Sequence, residues 1–430
     1  MQRMTKVTKY IKQNWDNSVH TPDEQSRGIV KMPNPYSVPC ANIKDVFSDF
    51  YYWDTYFANL GLMLDGKAEQ AENNLDVMAY FVRNLGYIPN ANHLLDRSQP
   101  PLFTRGVWDL YQFTDEKRVL EKYIGEIVKE YRFFQYERDT RIGLAQYGTN
   151  ITKNNLPEQY AWLSDRIGEY RDTFEEQMEL ATDLMCIAES GWDFNPRFHT
   201  AERKFAVCEF AHLELNCLLY DVEQKISQMF EIINDKEQSE VFLAYAKERK
   251  EKMESYMLDK ESGIFYDYNF EKDCFSSVTS CASLYPFAVG ISNDKEAAKK
   301  VLEKLELPYG LAACEYRGED ADYLQWDYPS MWPSNVYFAY VGLKQIGLTE
   351  DAKRIAEKYL HTVERCFEKT GALWEKYDAK SGIVSVTQEY ETPEMMGWTA
   401  GVYRFLEDDL EGKREDETGR ISFNTVLVME

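Results

Sequence analysis

Glu189–Ser190–Gly191–Trp192–Asp193–Phe194–Asn195–Pro196–Arg197–Phe198 follows a run whose apolar residues, Phe174, Met178, Ala181, Met185 and Ala188, recur at the spacing of one helical face. That spacing predicts a helix over 172–189. Ser190–Gly191 should end it, because glycine readily takes the backbone angles that close helices. Beyond the stop an acid stands between Trp192 and Phe194, with Pro196 stiffening the exit. A carboxyl group set among aromatics suits a pKa raised by poor solvation, and it suits a sugar site where rings stack on a pyranose. It also suits a buried indole with a capping aspartate.

Working outward, the helical period recurs at 68–86, 117–136, 206–233, 238–257, 294–305, 335–347, 350–368 and 395–408, with a short helix over Val7–Trp15. Asn293 with Glu296 reads as a capping box for the helix at 294–305. Strand signals are few and short: Leu144–Tyr147, Ile264–Tyr268 and Ala372–Tyr377, each after a charged turn containing glycine. Nothing reads as a βαβ series, and no Gly-rich phosphate loop is present. The chain therefore reads as all-α, built from helix pairs with short β-hairpins in the loops. In such a toroid, inner helices supply the core and loops at one end build the site. No Gly/Ser-rich linker divides the sequence, so residues 1–430 are expected to form one catalytic domain with an N-terminal arm over about residues 1–35.

A net charge of −24, from 73 acidic against 49 basic residues, argues against nucleic acid and against anionic membrane surfaces as partners. Thirty Tyr and nine Trp exceed what a core needs and fit a carbohydrate cleft. The eight cysteines form no CxxC pair, and Met1–Trp15 lacks an apolar run. With no window long enough to span a membrane, a reducing, cytoplasmic setting is expected.

Five histidines without ligand spacing, no HExxH and no GxSxG leave carboxylates as the chemistry, with no metal site expected. Asp193 is one. Glu375, in Leu373–Trp374–Glu375–Lys376–Tyr377–Asp378, is a second acid beside an aromatic, with Lys376 a neighbouring charge that would hold it ionised. A salt bridge on a short surface strand is the alternative reading of that segment. Glycoside hydrolysis asks for two such groups, one protonated to release the leaving oxygen and one ionised to activate water or attack the sugar. Asp54 sits within the aromatic-rich Asp45–Phe57, and Pro100–Pro101 hold Arg97 and Gln99 on a stiff loop.

From about residue 36 to 408 the chain resembles the trehalase family. Phe50–Tyr51–Tyr52–Trp53–Asp54–Thr55–Tyr56–Phe57 resembles the latter half of the first family signature. Gly86–Tyr87–Ile88–Pro89–Asn90 and Arg97–Ser98–Gln99–Pro100–Pro101 resemble the substrate loop. Glu189–Phe194 is similar to the general-acid motif, and Gln325–Trp326–Asp327–Tyr328–Pro329 with Trp332–Pro333 to the second signature. Glu375–Asp378 resembles the general-base segment, and Gly397–Trp398–Thr399 the closing motif. The resemblance implies an (α/α)6 barrel and inverting hydrolysis without a cofactor, with Asp193 as general acid and Glu375 as general base. It places Trp53, Asp54, Asn90, Arg97, Gln99 and Trp192 around the glucose ring. Gln325, Trp326 and Asp327 follow as supporting residues, and Phe47, Tyr52, Gly191 and Trp374 complete the candidate set.

The departures fall on the side of the second sugar. The family's Gly-Gly-Arg-Phe is replaced by a segment ending Asp45–Val46–Phe47, and its Arg-Pro-Arg-Pro-Glu-Ser by Asp165–Arg166–Ile167–Gly168–Glu169–Tyr170. Arg166 and Glu169 are the partial substitutes. The expected substrate is trehalose or a related small α-glucoside. The alternatives are a glycoside of glycerate, needing a cation such as Arg97, Arg105 or Arg166 at the aglycone, and a non-catalytic sugar-binding protein. Should Glu375 be displaced, Glu389 or Glu391 is the next base. A monomer or homodimer is expected.

Overall fold

Helix α2 (Tyr52–Leu64) is buried at every position from Tyr52 to Met63, so it carries no polar face and no helical period marks it in the sequence. It belongs to the inner part of a mostly helical computed structural model, which describes residues 4–23, 30–40, 47–385, 393–394 and 396–412. The other helices are α1 (Lys6–Asn14), α3 (Ala68–Leu85), α4 (Phe103–Thr114), α5 (Lys117–Glu137), α6 (Leu156–Ile167) and α7 (Phe174–Ser190). Then come α8 (Leu213–Ile232), α9 (Lys236–Tyr256), α10 (Tyr285–Ala288), α11 (Lys295–Leu305), α12 (Pro333–Gln345), α13 (Thr349–Thr370) and α14 (Gly397–Leu410).

Contacts run α2 to α4, α4 to α8, α8 to α10, α10 to α12, α12 to α14, and α14 back to α2, closing a cycle of six inner helices. Around them α3, α5, α9 and α13 pack on their inner neighbours, and α1 packs on α13. The outer helices are amphipathic. On α13, Ala352, Ile355, Ala356, Tyr359, Leu360 and Val363 face inward at helical spacing, and the remaining face is charged. The ring closes at the α2–α14 seam, where a Cβ on Gly401 would collide with the Phe57 carbonyl. Only glycine allows that approach.

Several sequence expectations shift. Helices α2, α4 and α6 carry no prediction, α2 for lack of a polar face. The helix expected over 206–233 begins at Leu213, because Val207–Glu209 takes a 3-10 turn and Phe210–Ala211 pairs as a strand with Tyr268–Asn269. The cap of α11 is Asp294 rather than Asn293, its carboxylate accepting from the backbone N–H of Glu296 and Ala297, both at 3.0 Å. Helices α6 and α7 pair with each other between α5 and α8 and bury a separate apolar cluster that includes Leu163, Leu180 and Leu184. Among the described residues no helix is long and apolar enough to cross a membrane.

Candidate active site

Helix α7 aims the chain at the site. Thr173 and Glu176 close a capping box at its start, and Gly191 ends it with φ +73°. A Cβ on Gly191 would stand 2.8 Å from two atoms of the Trp53 indole, so the glycine is required for both its angle and its proximity. Just before the stop, buried Glu189 receives a two-pronged contact from Arg138 at 2.6 and 2.7 Å. It also accepts the backbone N–H groups of Ser98 at 2.8 Å and Gly148 at 2.6 Å. One carboxylate thus ties the Arg97–Gln99 loop to the root of the Asp193 loop.

Asp193 does not lie bare among rings. Arg166 of α6 donates to its Oδ2 at 2.9 Å and to its backbone carbonyl at 3.3 Å, while its guanidinium sits 4.8 Å over the Phe194 ring. Glu375 arrives from the far side of the chain. The Tyr377–Asp378 strand pairs with Ser330–Met331, drawing the Gln325–Trp332 segment and Glu375 together. Lys376 donates to Glu375 Oε2 at 3.0 Å, and Trp398 Nε1 donates to the Glu375 carbonyl at 3.0 Å. Both members of the Glu375–Lys376 pair are buried, so the surface-strand alternative fails.

Stacked indoles connect the two halves. Trp332 lies on Trp326 at 3.7 Å and 4°, and Trp326 on Trp192 at 5.3 Å and 18°. Lys376 sits 4.8 Å from the Trp332 ring and Arg197 4.4 Å from Trp192. Arg197 is itself gripped by Glu214 at 2.6 and 2.7 Å. The cation partnered with Glu375 and an anchored arginine of the Asp193 loop therefore flank one aromatic column.

These elements surround a cleft of about 990 Å³. Phe47, Trp53, Asp54, Asn90, Arg97, Gln99, Arg166, Gly191, Asp193, Gln325, Trp326 and Glu375 line it together. Gln99 Oε1 accepts the Trp53 backbone N–H at 3.0 Å, fixing the start of α2. Burial, with the Glu375 charge adding to it, pushes the Asp54 carboxyl up to about 8, so at neutral pH it is mainly a proton donor. Arg97 is buried and directs Nη1 to Asp96 at 2.6 Å, while its Nε has no partner.

The remaining candidates stand back from the cleft wall. Trp192 is wholly buried within the indole column. Tyr52 donates to Glu130 at 2.6 Å in the core, and Asp327 takes the backbone N–H of Tyr328 at 2.7 Å together with Arg317. Glu169 pairs with Arg171 and Lys204, and Trp374 donates its indole N–H to Thr370 at 3.0 Å. Arg105 is buried inside the ring, bound to Asp221 at 3.0 Å. It cannot face an aglycone. Asp45, Val46, Glu389 and Glu391 lie outside the described residues.

The trehalase family profile matches residues 1–409. The chain belongs to the trehalase family. It is accordingly a glycoside hydrolase. The neutral trehalase of Saccharomyces cerevisiae is a structural neighbour with TM-score 0.69 and 23% identity, covering 94% of this chain and 80% of that one. The mannosylglycerate hydrolase of Thermus thermophilus, solved in complex with glucose, has TM-score 0.63 and 15% identity, covering 94% and 99%. At these identities the likeness is one of fold. Within this trehalase-family cleft, sequence reasoning passed over Trp332, Trp398, His93, Asp96 and Trp162 as lining residues. Trp332 and Trp398 stood in quoted motifs, but only the indole column shows what they support.

Proposed function

We propose that this trehalase-family hydrolase cleaves the α-glucosidic bond of trehalose, or of a closely related neutral α-glucoside, with inversion. The reading includes an (α/α)6 barrel as one domain, working without a cofactor. Asp193 gives its proton to the glycosidic oxygen as the anomeric C–O bond breaks. Glu375 takes a proton from the water that attacks the anomeric carbon on the opposite face. Asp193 ends ionised and Glu375 protonated, and exchange with solvent restores both. Trp53, Asn90, Arg97 and Asp54 hold the glucose ring, Asp54 donating to a hydroxyl.

The observation that carries this reading is the convergence of Asp193 and Glu375, from segments 182 residues apart (375 − 193), on one aromatic-floored cleft. The cleft's charge supports a neutral aglycone. Besides the protonated Asp54 and the proton-giving Asp193, four carboxylates (Asp96, Glu158, Asp165, Glu375) line it against two arginines among the described residues. Both arginines are committed, Arg97 to Asp96 and Arg166 to Asp193. A glycerate or phosphate group would meet more carboxylates than cations among the described residues there. Glucose release from trehalose, trehalose 6-phosphate, kojibiose, glucosylglycerate and mannosylglycerate tests it. Trehalose should be turned over at least tenfold more efficiently than either glycerate glycoside or the phosphate. Preference for an anionic substrate would overturn the assignment.

A further inference from the structure

Helix α6 presents one face to the cleft. Glu158, Gln159, Trp162, Asp165 and Arg166 all line it, at spacings of one, four, seven and eight residues from Glu158, which is a single helical stripe. The opposite face buries Leu156 and Leu163 against α7. Arg166 grips Asp193, the residue assigned to protonate the leaving oxygen, so the stripe starts on the leaving-group side. From Arg166 to Glu158 it climbs about 12 Å, more than one sugar ring. Exposure rises along it, from half-buried Arg166 to Trp162, which is 56% exposed. An indole this open at the mouth of a cleft, one turn from Arg166 and flanked by a carboxylate and an amide, has the chemistry of a sugar platform: a flat apolar face beside acceptors and donors for hydroxyls. The cleft's volume of about 990 Å³ stands at the top of the range for small-molecule sites, about 300–1,000 Å³.

We infer that α6 carries an outer subsite, with Trp162 as its stacking platform and Glu158 and Gln159 as its hydroxyl partners, for a neutral sugar beyond the second ring of the substrate. The substrate class then extends from trehalose to α-glucosides whose aglycone is itself a disaccharide or similar neutral glycan. This inference rests on the hydrolytic reading above for its direction, since Asp193 defines the leaving-group side.

The test compares trehalose with the trisaccharide that carries one further α-1,4-linked glucose on its second ring, in wild-type protein and in Trp162→Ala. Trp162 is exposed, so its removal leaves the fold intact. The Trp162 ring also lies 5.9 Å from the Arg166 guanidinium, so the reading is the ratio of the two substrates: stacking lost at such a site lowers trisaccharide kcat/KM about fivefold more than that of trehalose, through KM. Equal effects on both substrates, or wild-type rejection of the trisaccharide, overturn the subsite. Calorimetric binding of both sugars to Asp193→Asn separates this from failure of the hydrolytic reading. If neither sugar is cleaved, tighter trisaccharide binding that Trp162→Ala abolishes still sustains the platform. Equal binding of the two sugars refutes it.

Discussion

Replacing Gly191 by alanine strikes the point where the helix stop, the aromatic floor and the Asp193 loop meet. Two costs add. Alanine at φ +73° pays the left-handed penalty of about 1–2 kcal/mol. Its Cβ, 2.8 Å from Cε2 and Cζ2 of Trp53, forces a fully packed indole aside for about 1–3 kcal/mol. The sum is about 3 kcal/mol. For a 430-residue chain the unfolding entropy is about 0.9 kcal/mol/K, so the melting temperature should fall by only about 3 °C. Activity should suffer far more. Trp53 lines the cleft and Asp193 follows two residues after the glycine, and displacement of a positioned group by about 1 Å costs on the order of a hundredfold in rate. Gly191→Asn separates the causes, since asparagine tolerates the left-handed region yet keeps the colliding Cβ. It should recover part of the stability and little of the activity. Scanning calorimetry with initial rates on trehalose reads both. Alanine with wild-type melting and wild-type turnover would refute the close-approach argument.

Two further perturbations address the carboxylates. Asp54 binds its proton up to about pH 8 when folded, against an ordinary value of 3.8, so between these limits the folded state holds a proton that the unfolded state has released. Its contribution is complete below about pH 4, drains by about 1.4 kcal/mol per pH unit as pH rises, and levels off above about pH 8. Asp54→Asn removes that slope, so urea midpoints should show the variant gaining on wild type between pH 5 and pH 8; a constant difference would count against the buried, protonated acid. Glu189→Gln strips the charge that compensates buried Arg138 and weakens the hold on the Ser98 N–H. It should cost about 3–5 kcal/mol in denaturant unfolding and raise KM, because the Arg97–Gln99 loop loses its tie to α7.

What could be read from the chain followed the range of the forces involved. Outer helices such as α3 and α13 announce themselves because one face meets water and the other does not. Helix α2 has no wet face, so no period marks it, although the family signature singled out its Trp53–Asp54 pair, and the structure sets both residues on the cleft wall. The stop at Gly191 was legible because the angle is local. The collision that makes the glycine indispensable involves Trp53, 138 positions away (191 − 53), and is not local. Glu189 shows the same limit. As a letter it looks like any helical acid, and only the meeting with Arg138, Ser98 and Gly148 makes it a clamp. Arg166 entered through its place in a partly matching motif, and the fold gives that place a physical meaning, a guanidinium on Asp193. Trp162 carried no signal at all, because exposure at a cleft mouth is a property of the folded surface.

Proton NMR of fresh trehalose digests tests the central claim most directly, because the anomeric signals report the first products before mutarotation. Glu375 acting on water opposite Asp193 predicts equal initial amounts of β- and α-glucose, with Asp193→Asn and Glu375→Gln each silencing the signal while still binding trehalose. Initial release of α-glucose alone, or turnover that survives either substitution, would contradict the paired roles of Asp193 and Glu375.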